Sequence, residues 1–568
     1  MSKTNESASD GETTVGGFFM EKSRKRVKTA LVIFIIPVLA LAGRLFYIQI
    51  LCHDEFAEAA TSQHEIAVEG LDTRGQILDR NLKPITGGSY QYYYIVKKER
   101  MTAEYRSLLD MMGGSQIASA DSDYYVYRTE DYDDEVNQRL KDGCNAYVFR
   151  SRSRYSASQP ACHLVGYLNQ AEKRGVSGLE YLFEKKLKAG ENRLVLTADA
   201  AGNILPGIAP SIKSSGKLAD EDRGVVTSIE LGLQKKCESL LSKFSSGACI
   251  VADCASGEIL AMASVPTFNP NNISQYLTED SDCLINKSLQ AAYPPGSVFK
   301  LVVAAAALEN GICTTDRKYR CEGHIEAEGV SVACSTAPDG GHGEIDMDEA
   351  IAKSCNCYFV QLGQAVGREK ILEMACRLGL GSKVFEDFPE ETSGYVPETG
   401  ETAIQDISNI SIGQGRLLAT PLQVSGITAI IAGGGTAGPL RLLAGEGAAP
   451  ASQAVPAGAG TGTEKEQVIS TQTALKLQNM MKSVMTYGTG SHVKWTVPVW
   501  GKSGTAEASR KGRDVKDCWF TGYCDIAAAE GNVKRFVITV FAEDGTSGSA
   551  TALPVFKGIV EYLSNIRG

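Results

Sequence analysis

The sequence predicts an α+β fold, one antiparallel sheet flanked by helices, carried behind a single membrane-spanning helix and a β-rich segment. Two observations predict it. The first is order along the chain: beyond about residue 225, a hairpin is followed by a block of helices, three strand-like runs and a closing helix, so the sheet must join both ends of that segment. The second is the N-terminus, where Lys22, Arg24, Lys25, Arg26 and Lys28 stand before an apolar run beginning at Ala30. At 568 residues, the chain is too long for one core, and it divides into 1–28 (cytoplasmic tail), 29–51 (membrane anchor), 52–224 and 225–568.

The apolar run A-L-V-I-F-I-I-P-V-L-A-L-A-G continues past Arg44 as L-F-Y-I-Q-I-L. A helix over 29–51 reaches roughly 34 Å, enough to cross a hydrocarbon core of about 30 Å, with Arg44 snorkelling outward. The basic cluster holds the N-terminus inside, which makes this a single-pass protein of the cell membrane with everything after about residue 52 exported. A cleaved signal peptide competes, because Ala40-Leu41-Ala42 has the small-x-small form of a cleavage site. The long polar leader and the apolar continuation favour a retained anchor.

After the anchor, Leu71 to Ile85 reads as short strands with a turn around Asn81. Residues 90–160, rich in Tyr, Asp, Arg and Ser, read as a β-rich accessory module, and His163 to Leu187 reads as a strand or turn followed by an amphipathic helix. His163 itself is expected to make a packing hydrogen bond. A-C-I-V-A-D-C and E-I-L-A-M-A-S flank the turn Ala255-Ser256-Gly257 as a hairpin. Helices are expected near 297–311, 346–364, 368–378, 420–432, 471–487 and 553–565, and the Gly/Ala/Pro-rich stretch 434–466 as a mobile surface loop.

A net charge of -10 argues against nucleic acid as a partner. Fifteen cysteines in an exported chain are an odd set, so one at least is unpaired within it. Cys52 stands at the membrane edge, while Cys249 and Cys254, in or beside an apolar strand, read as buried thiols. Cys321, Cys334 and His342, spaced C-x12-C-x7-H and followed by Cys355 and Cys357, suit either a disulfide across a hairpin or a zinc ion. Both readings stay open, and neither a metal nor a cofactor is expected to take part in the chemistry.

Chemistry concentrates in three short motifs. In Y-P-P-G-S-V-F-K, the prolines and glycine start a helix and put Ser297 near its N-terminus, where free N–H groups favour developing negative charge. Lys300 lies three residues on, on the same face, and a desolvated lysine of lowered pKa can serve as the base that a serine nucleophile needs. Alone, the pair reads as a helix cap and a snorkelling lysine. Ser354-Cys355-Asn356 adds a second hydroxyl and an amide. Lys502-Ser503-Gly504-Thr505, at the end of a strand, offers a fixed cation, hydroxyls, N–H groups and a glycine that lets a substrate approach the backbone.

In this order, S-x-x-K, S-x-N and K-[ST]-G form the signature of penicillin-binding proteins and serine β-lactamases. The chain resembles a class B penicillin-binding protein, a monofunctional peptidoglycan transpeptidase, from anchor to C-terminus. R-G-Q-I-L-D-R-N (Arg74 to Asn81), H-L-V-G-Y and G-V-S-G-L-E resemble the pedestal boxes of that class. P-T-F-N-P-N, S-I-G-Q-G with T-P-L-Q, G-K-S-G-T-A-E and W-F-T-G-Y resemble its transpeptidase domain. Val298 and Ser503 each stand where the family commonly has threonine, and Leu82 where the pedestal motif often has glycine.

The resemblance implies a penicillin-binding/β-lactamase-like transpeptidase domain on an elongated pedestal spanning 52–224, and a substrate peptide ending in D-Ala-D-Ala. It implies Ser297 as nucleophile, Lys300 as base and Ser354 as proton relay, with Asn356, Lys502, Ser503, Gly504 and Thr505 binding substrate. It further implies acylation of Ser297 by β-lactams and a membrane-embedded glycan polymerase of the shape, elongation, division and sporulation (SEDS) family as partner. A β-lactamase and a non-enzymatic penicillin sensor or scaffold are the alternatives. A second, glycosyltransferase activity is not expected, since no E-D-x-x-F-x-x-H box precedes residue 225.

Overall fold

The computed structural model describes residues 15–51, 65–68, 74–117, 123–169, 172–188, 192–199, 204–205, 211–214, 224–277, 282–327, 329–398, 400, 406–443, 466–510, 512–528 and 531–567. Cys52, most of the polar leader and 444–465 of the expected mobile loop lie outside them. Two compact units emerge, Met1–Leu71 with Tyr92–Phe149 and Asn192–Lys213, and Asp72–Gln91 with Arg150–Glu191 and Ser214–Gly568.

In the first unit, a helix over Val15–Phe46 runs into a π-helical turn at Tyr47–Leu51, and Lys28–Ile50 is apolar and long enough to cross a bilayer. Its side chains are exposed from Leu31 to Tyr47 as a lipid-facing helix requires, and Pro37 is carried inside it. The accessory segment is less purely β than its composition suggests. A four-stranded sheet, ordered Ser115–Ile117, Tyr124–Thr129, Ser89–Lys97, Tyr147–Ser153, is accompanied by helices Ala103–Met111 and Asp134–Cys144. The second helix is capped by Asp133 and packs Leu140 and Cys144 inward from an otherwise polar sequence, which is why hydropathy alone concealed it.

In the second unit, the two stretches read as pedestal boxes meet. Arg74 Nε donates to Glu180 Oε2 at 2.6 Å, Arg154 Nε to Glu180 Oε1 at 2.6 Å, and Tyr155 Oη to the same Oε1 at 3.0 Å. Asp79 Oδ1 accepts the N–H groups of Asn81 and Lys83 and so closes the turn expected around Asn81. That turn puts Leu82 at φ 61, a left-handed conformation costly for a leucine, with the side chain exposed and gaining nothing in return. Leu82→Gly is therefore expected to stabilise the unit by about 0.5–1 kcal/mol, the relieved strain less the extra entropy of an unfolded glycine, read as a raised melting temperature. Where one amphipathic helix was expected near 175–187, the chain makes the short helices Gly178–Leu182 and Glu184–Leu187, since Glu180 is drawn inward by its arginines.

The remaining elements build around one five-stranded antiparallel sheet. Helix α1 (Leu231–Leu241) leads into hairpin strands β1 (Gly247–Asp253) and β2 (Ile259–Val265). A 3-10 turn at Gly296–Phe299 opens α2 (Lys300–Glu309), followed by α3 (Met347–Ala352), α4 (Asn356–Val366), α5 (Arg368–Arg377), α6 (Pro421–Ala432) and α7 (Thr471–Thr486). Strands β3 (Val499–Arg510), β4 (Arg513–Ala527) and β5 (Val533–Ala542) and helix α8 (Leu553–Arg567) complete it. The order β2-β1-β5-β4-β3 joins the early hairpin to the late strands through β1 and β5 and leaves β3, with Lys502–Thr505, at an edge.

The core runs between this sheet and the helices. Residues Leu301–Ala307 of α2 are all buried, so the helix has no solvent face to let it rotate or slide. Helix α6 begins with a capping box between Thr420 and Gln423, with Pro421 at its first position. One expected helix is divided: 346–364 breaks into α3 and α4 because Ser354 takes φ 56, which turns the backbone out between them. His163 makes its packing bond, Nε2 to the Cys283 carbonyl oxygen at 2.7 Å, and burial pushes its pKa down to about 4.

Candidate active site

The start of α2, the α3–α4 break and edge strand β3 carry the three motifs. Trp519 Nε1 donates to the Pro294 carbonyl at 3.0 Å, and the Gly296 N–H to the Gly413 carbonyl at 2.8 Å, clamping the turn that holds Ser297. Sequence reasoning gave Gly504 the role of letting a substrate approach. The structure adds a packing reason: a Cβ there would lie 3.0 Å from Val298 Cγ1 and from Trp519 Cβ, so the glycine lets β3 close on the Ser297 turn. A Cβ on Gly296 would lie 2.9 Å from the Thr505 carbonyl oxygen, which sets Ser297 beside Thr505.

Lys300 and Lys502 are both fully buried, and both point at Ser354. Lys300 Nζ donates to the Ser354 carbonyl at 2.8 Å, to Asn356 Oδ1 at 2.7 Å and, more weakly, to Ser354 Oγ at 3.5 Å. Lys502 Nζ donates to Ser354 Oγ at 2.9 Å and to the Ser503 carbonyl at 2.8 Å. Because Ser354 Oγ accepts from two ammonium groups, its own O–H is left to point elsewhere, as a proton donor to a bound molecule must. The φ of Ser354 brings its carbonyl and hydroxyl together onto one lysine, a use of backbone strain confined to this position of the helix pair.

Desolvation lowers the pKa of Lys300 to about 8, nearby thiols opposing it, and Phe359 covers the amine with its ring 5.6 Å away. Lys502 is also held well below the ordinary lysine range, by burial first and then by the charge of Lys300. Among the described residues, Lys300 makes no hydrogen bond to Ser297: its bonds go to Ser354 and Asn356. Ser297 is half-buried, in the turn that precedes the lysine.

The spacing of the cysteines also acquires a geometry. Every described cysteine is a free thiol, so Cys321 and Cys334 form no disulfide. Cys321, Cys334, His342 and Cys355 instead bring their donor atoms within 4.8 Å of one another. His342 Nδ1 lies 3.5 Å from both the Cys321 and Cys334 sulfurs, and the Cys334 and Cys355 sulfurs are 3.9 Å apart. A tetrahedral zinc ion with Zn–S of about 2.3 Å separates its sulfurs by about 3.7 Å, so three thiolates and one imidazole fit that ion with little adjustment. Sequence spacing singled out Cys321, Cys334 and His342 but left a disulfide and a zinc ion both open. It could not choose Cys355 over Cys357 as the fourth donor, because Cys355, the central residue of S-x-N, reaches the others through the turn at Ser354.

A family model described as the penicillin binding protein transpeptidase domain matches residues 247–561. The chain belongs to that family. This transpeptidase is 25% identical over 558 residues to the stage V sporulation protein D of Bacillus subtilis (strain 168), covering 94% of this chain and 85% of the relative. It is 26% identical over 613 residues to the peptidoglycan D,D-transpeptidase MrdA of Acinetobacter baumannii, covering 95% and 87%. In fold it is similar to a structure described as "Structural coordination of polymerization and crosslinking by a peptidoglycan synthase complex", with a TM-score of 0.70, 24% identity and coverage of 96% and 99%. The transpeptidase also superposes on a penicillin-binding protein (PBP2) from Helicobacter pylori, with a TM-score of 0.66, 21% identity and coverage of 88% and 99%.

Proposed function

We infer that the protein is a class B penicillin-binding protein, a membrane-anchored serine D,D-transpeptidase that crosslinks peptidoglycan stem peptides and is acylated by penicillin. The observation that carries this is the convergence of Lys300 and Lys502 on Ser354 beside the Ser297 turn.

Lys502, with Ser503 and Thr505, binds the terminal carboxylate of a D-Ala-D-Ala peptide, the buried ammonium recovering in that ion pair what desolvation cost it. Asn356 orients the peptide and holds Lys300. Lys300, as the free amine, takes the Ser297 proton while Oγ attacks the penultimate D-Ala carbonyl carbon. The oxyanion is held by the backbone N–H groups of Ser297 and Thr505, each worth about 3 kcal/mol to the transition state. Collapse breaks the C–N bond, and Ser354 passes a proton to the departing D-Ala nitrogen. An amine of a second stem peptide then attacks the acyl-enzyme and returns Ser297 to its hydroxyl form.

The cluster Cys321, Cys334, His342 and Cys355 holds a zinc ion in this reading, and its role is structural, since four protein ligands close the coordination shell. The N-terminus lies in the cytoplasm and the catalytic part outside in this reading, which the basic residues before the apolar helix support. Residues 52–224 form a pedestal, and a membrane glycan polymerase of the SEDS family is the partner. Support for that partner is the structural neighbour described as a peptidoglycan synthase complex.

The test is product analysis. The purified full chain, given a D-Ala-D-Ala peptide and an acceptor amine, is expected to release D-Ala and form the peptide–amine product by mass spectrometry. Rapid turnover of a chromogenic cephalosporin instead would assign a β-lactamase. Acylation by penicillin with no D-Ala released would assign a sensor.

A further inference from the structure

The loop that follows α7, Tyr487–Ser491, belongs to none of the three motifs, yet it bonds to one of them and to the end of the helix that precedes another. The Thr489 N–H donates to the carbonyl of Ala352 at 3.0 Å, two residues before Ser354. Its hydroxyl is 2.8 Å from the hydroxyl of Ser503. Gly488 makes this bridge possible: a Cβ there would lie 2.2 Å from the Ala352 carbonyl oxygen, so no other residue lets the loop come so close. At the loop's start, Tyr487 Oη and Ser483 Oγ both donate to the Asp348 carboxylate, which ties the end of α7 to α3. The loop is thus fixed at its base and bonded both to the end of α3 and to β3.

We propose that Thr489 is a positioning residue of the carboxylate site, holding the Ser503 hydroxyl so that its proton faces the C-terminal carboxylate of the donor peptide. This rests on the transpeptidase reading and adds to it a residue outside the three motifs. The chemical argument is a count of protons. Each hydroxyl has one to donate, and a carboxylate accepts only. When Thr489 donates to Ser503 Oγ, the Ser503 proton is free for the substrate; with Thr489 gone, that proton turns to any nearby acceptor. Ser503 is 7% exposed, so bulk water is a poor substitute partner. Lys502 gives the site its charge, while the Thr489–Ser503 pair gives the second hydrogen bond its direction.

The experiment is penicillin acylation of the full chain in detergent, resolved by stopped flow into a pre-acylation dissociation constant and a first-order acylation constant. Thr489→Val keeps shape and removes the hydroxyl, and Thr489→Ser keeps the hydroxyl. The valine variant is expected to weaken pre-acylation binding about tenfold, the loss of one hydrogen bond to a charged group, with the acylation constant changed less than threefold. The serine variant should restore binding. In a Ser503→Ala background, Thr489→Val should have no further effect, because the partner it positions is gone. An unchanged dissociation constant in Thr489→Val, an equal loss in the valine and serine variants, or a full additional loss in the Ser503→Ala background would each overturn the proposal. If the valine variant does not fold, the serine variant and Ser503→Ala decide: Thr489→Ser must match the parent while Ser503→Ala loses binding. A parent chain that penicillin does not acylate at all would count against the transpeptidase reading, not against Thr489 alone.

Discussion

Ser297→Ala protein is expected to show no covalent labelling by fluorescent penicillin, while binding its reversible ligands as before. The side chain lost is half-buried in a turn whose clamps, the Trp519 indole on the Pro294 carbonyl and the Gly296 N–H on the Gly413 carbonyl, do not use the Ser297 side chain, so alanine leaves them intact. Unchanged melting with absent label is therefore the outcome, and labelling at normal intensity would remove Ser297 from the mechanism. Lys300→Met isolates the base: acylation should slow by about 10²–10⁴-fold, the usual worth of a positioned proton acceptor, without moving the site of labelling. With the Lys300 pKa lowered to about 8, the parent's acylation rate should climb as pH rises toward about 8 and then level, since only the free amine accepts the serine proton. Stability follows the same sign. The unfolded chain holds a proton that the folded chain lacks between about 8 and the ordinary lysine range, so the fold gains stability as pH rises across that window.

The elements that carry this chemistry were legible for a local reason. Y-P-P-G-S-V-F-K starts a helix by its own composition, and K-S-G-T sits in a run of strand residues, so motif and element coincide and Ser297, Lys300 and Lys502 could be assigned roles from spacing. What the sequence hid is non-local. Ser354 was placed inside one helix because I-A-K-S-C-N-C-Y-F is continuously helix-compatible; only the tertiary demand that one serine face two lysines gives it φ 56. Thr489 stands fourteen residues before Ser503 in a glycine-rich turn, and no periodicity relates the two. For Gly504, the packing reason was hidden, because a neighbour that excludes a side chain, Val298, comes from a segment about two hundred residues earlier. In the accessory segment, polar helices with few inward residues gave hydropathy too little to detect.

Metal removal is the second large effect, and its argument joins the cluster to the catalytic motif. Cys355 lies between Ser354 and Asn356, and Asn356 Nδ2 donates at 2.8 Å to the carbonyl of Ala333, the residue before Cys334. One ligand, Cys355, is thus the immediate neighbour of both residues that hold Lys300, and a second, Cys334, follows the carbonyl that anchors Asn356, so what fixes the ligands fixes the amine. Full-chain protein purified without chelator is expected to contain one zinc per chain by elemental analysis. A free ion at a thousand times its dissociation constant stabilises the folded state by about 4 kcal/mol, so stripping it with a strong chelator should lower the melting temperature by roughly 10 °C. Cys321→Ser, which spares S-C-N, should lose the metal and melt near the stripped parent, whereas Cys376→Ser, an exposed thiol outside the tetrad, should keep both metal and melting temperature. The stripped chain should also acylate slowly, because the turn at Ser354 is a strained conformation that α3 and α4 alone do not enforce. Metal-free protein with the parent's melting temperature, or Cys321→Ser protein with a full equivalent of zinc, would leave the four donors as packed thiols and an imidazole, and the order of the catalytic turn would then rest on Lys300 and Lys502 alone.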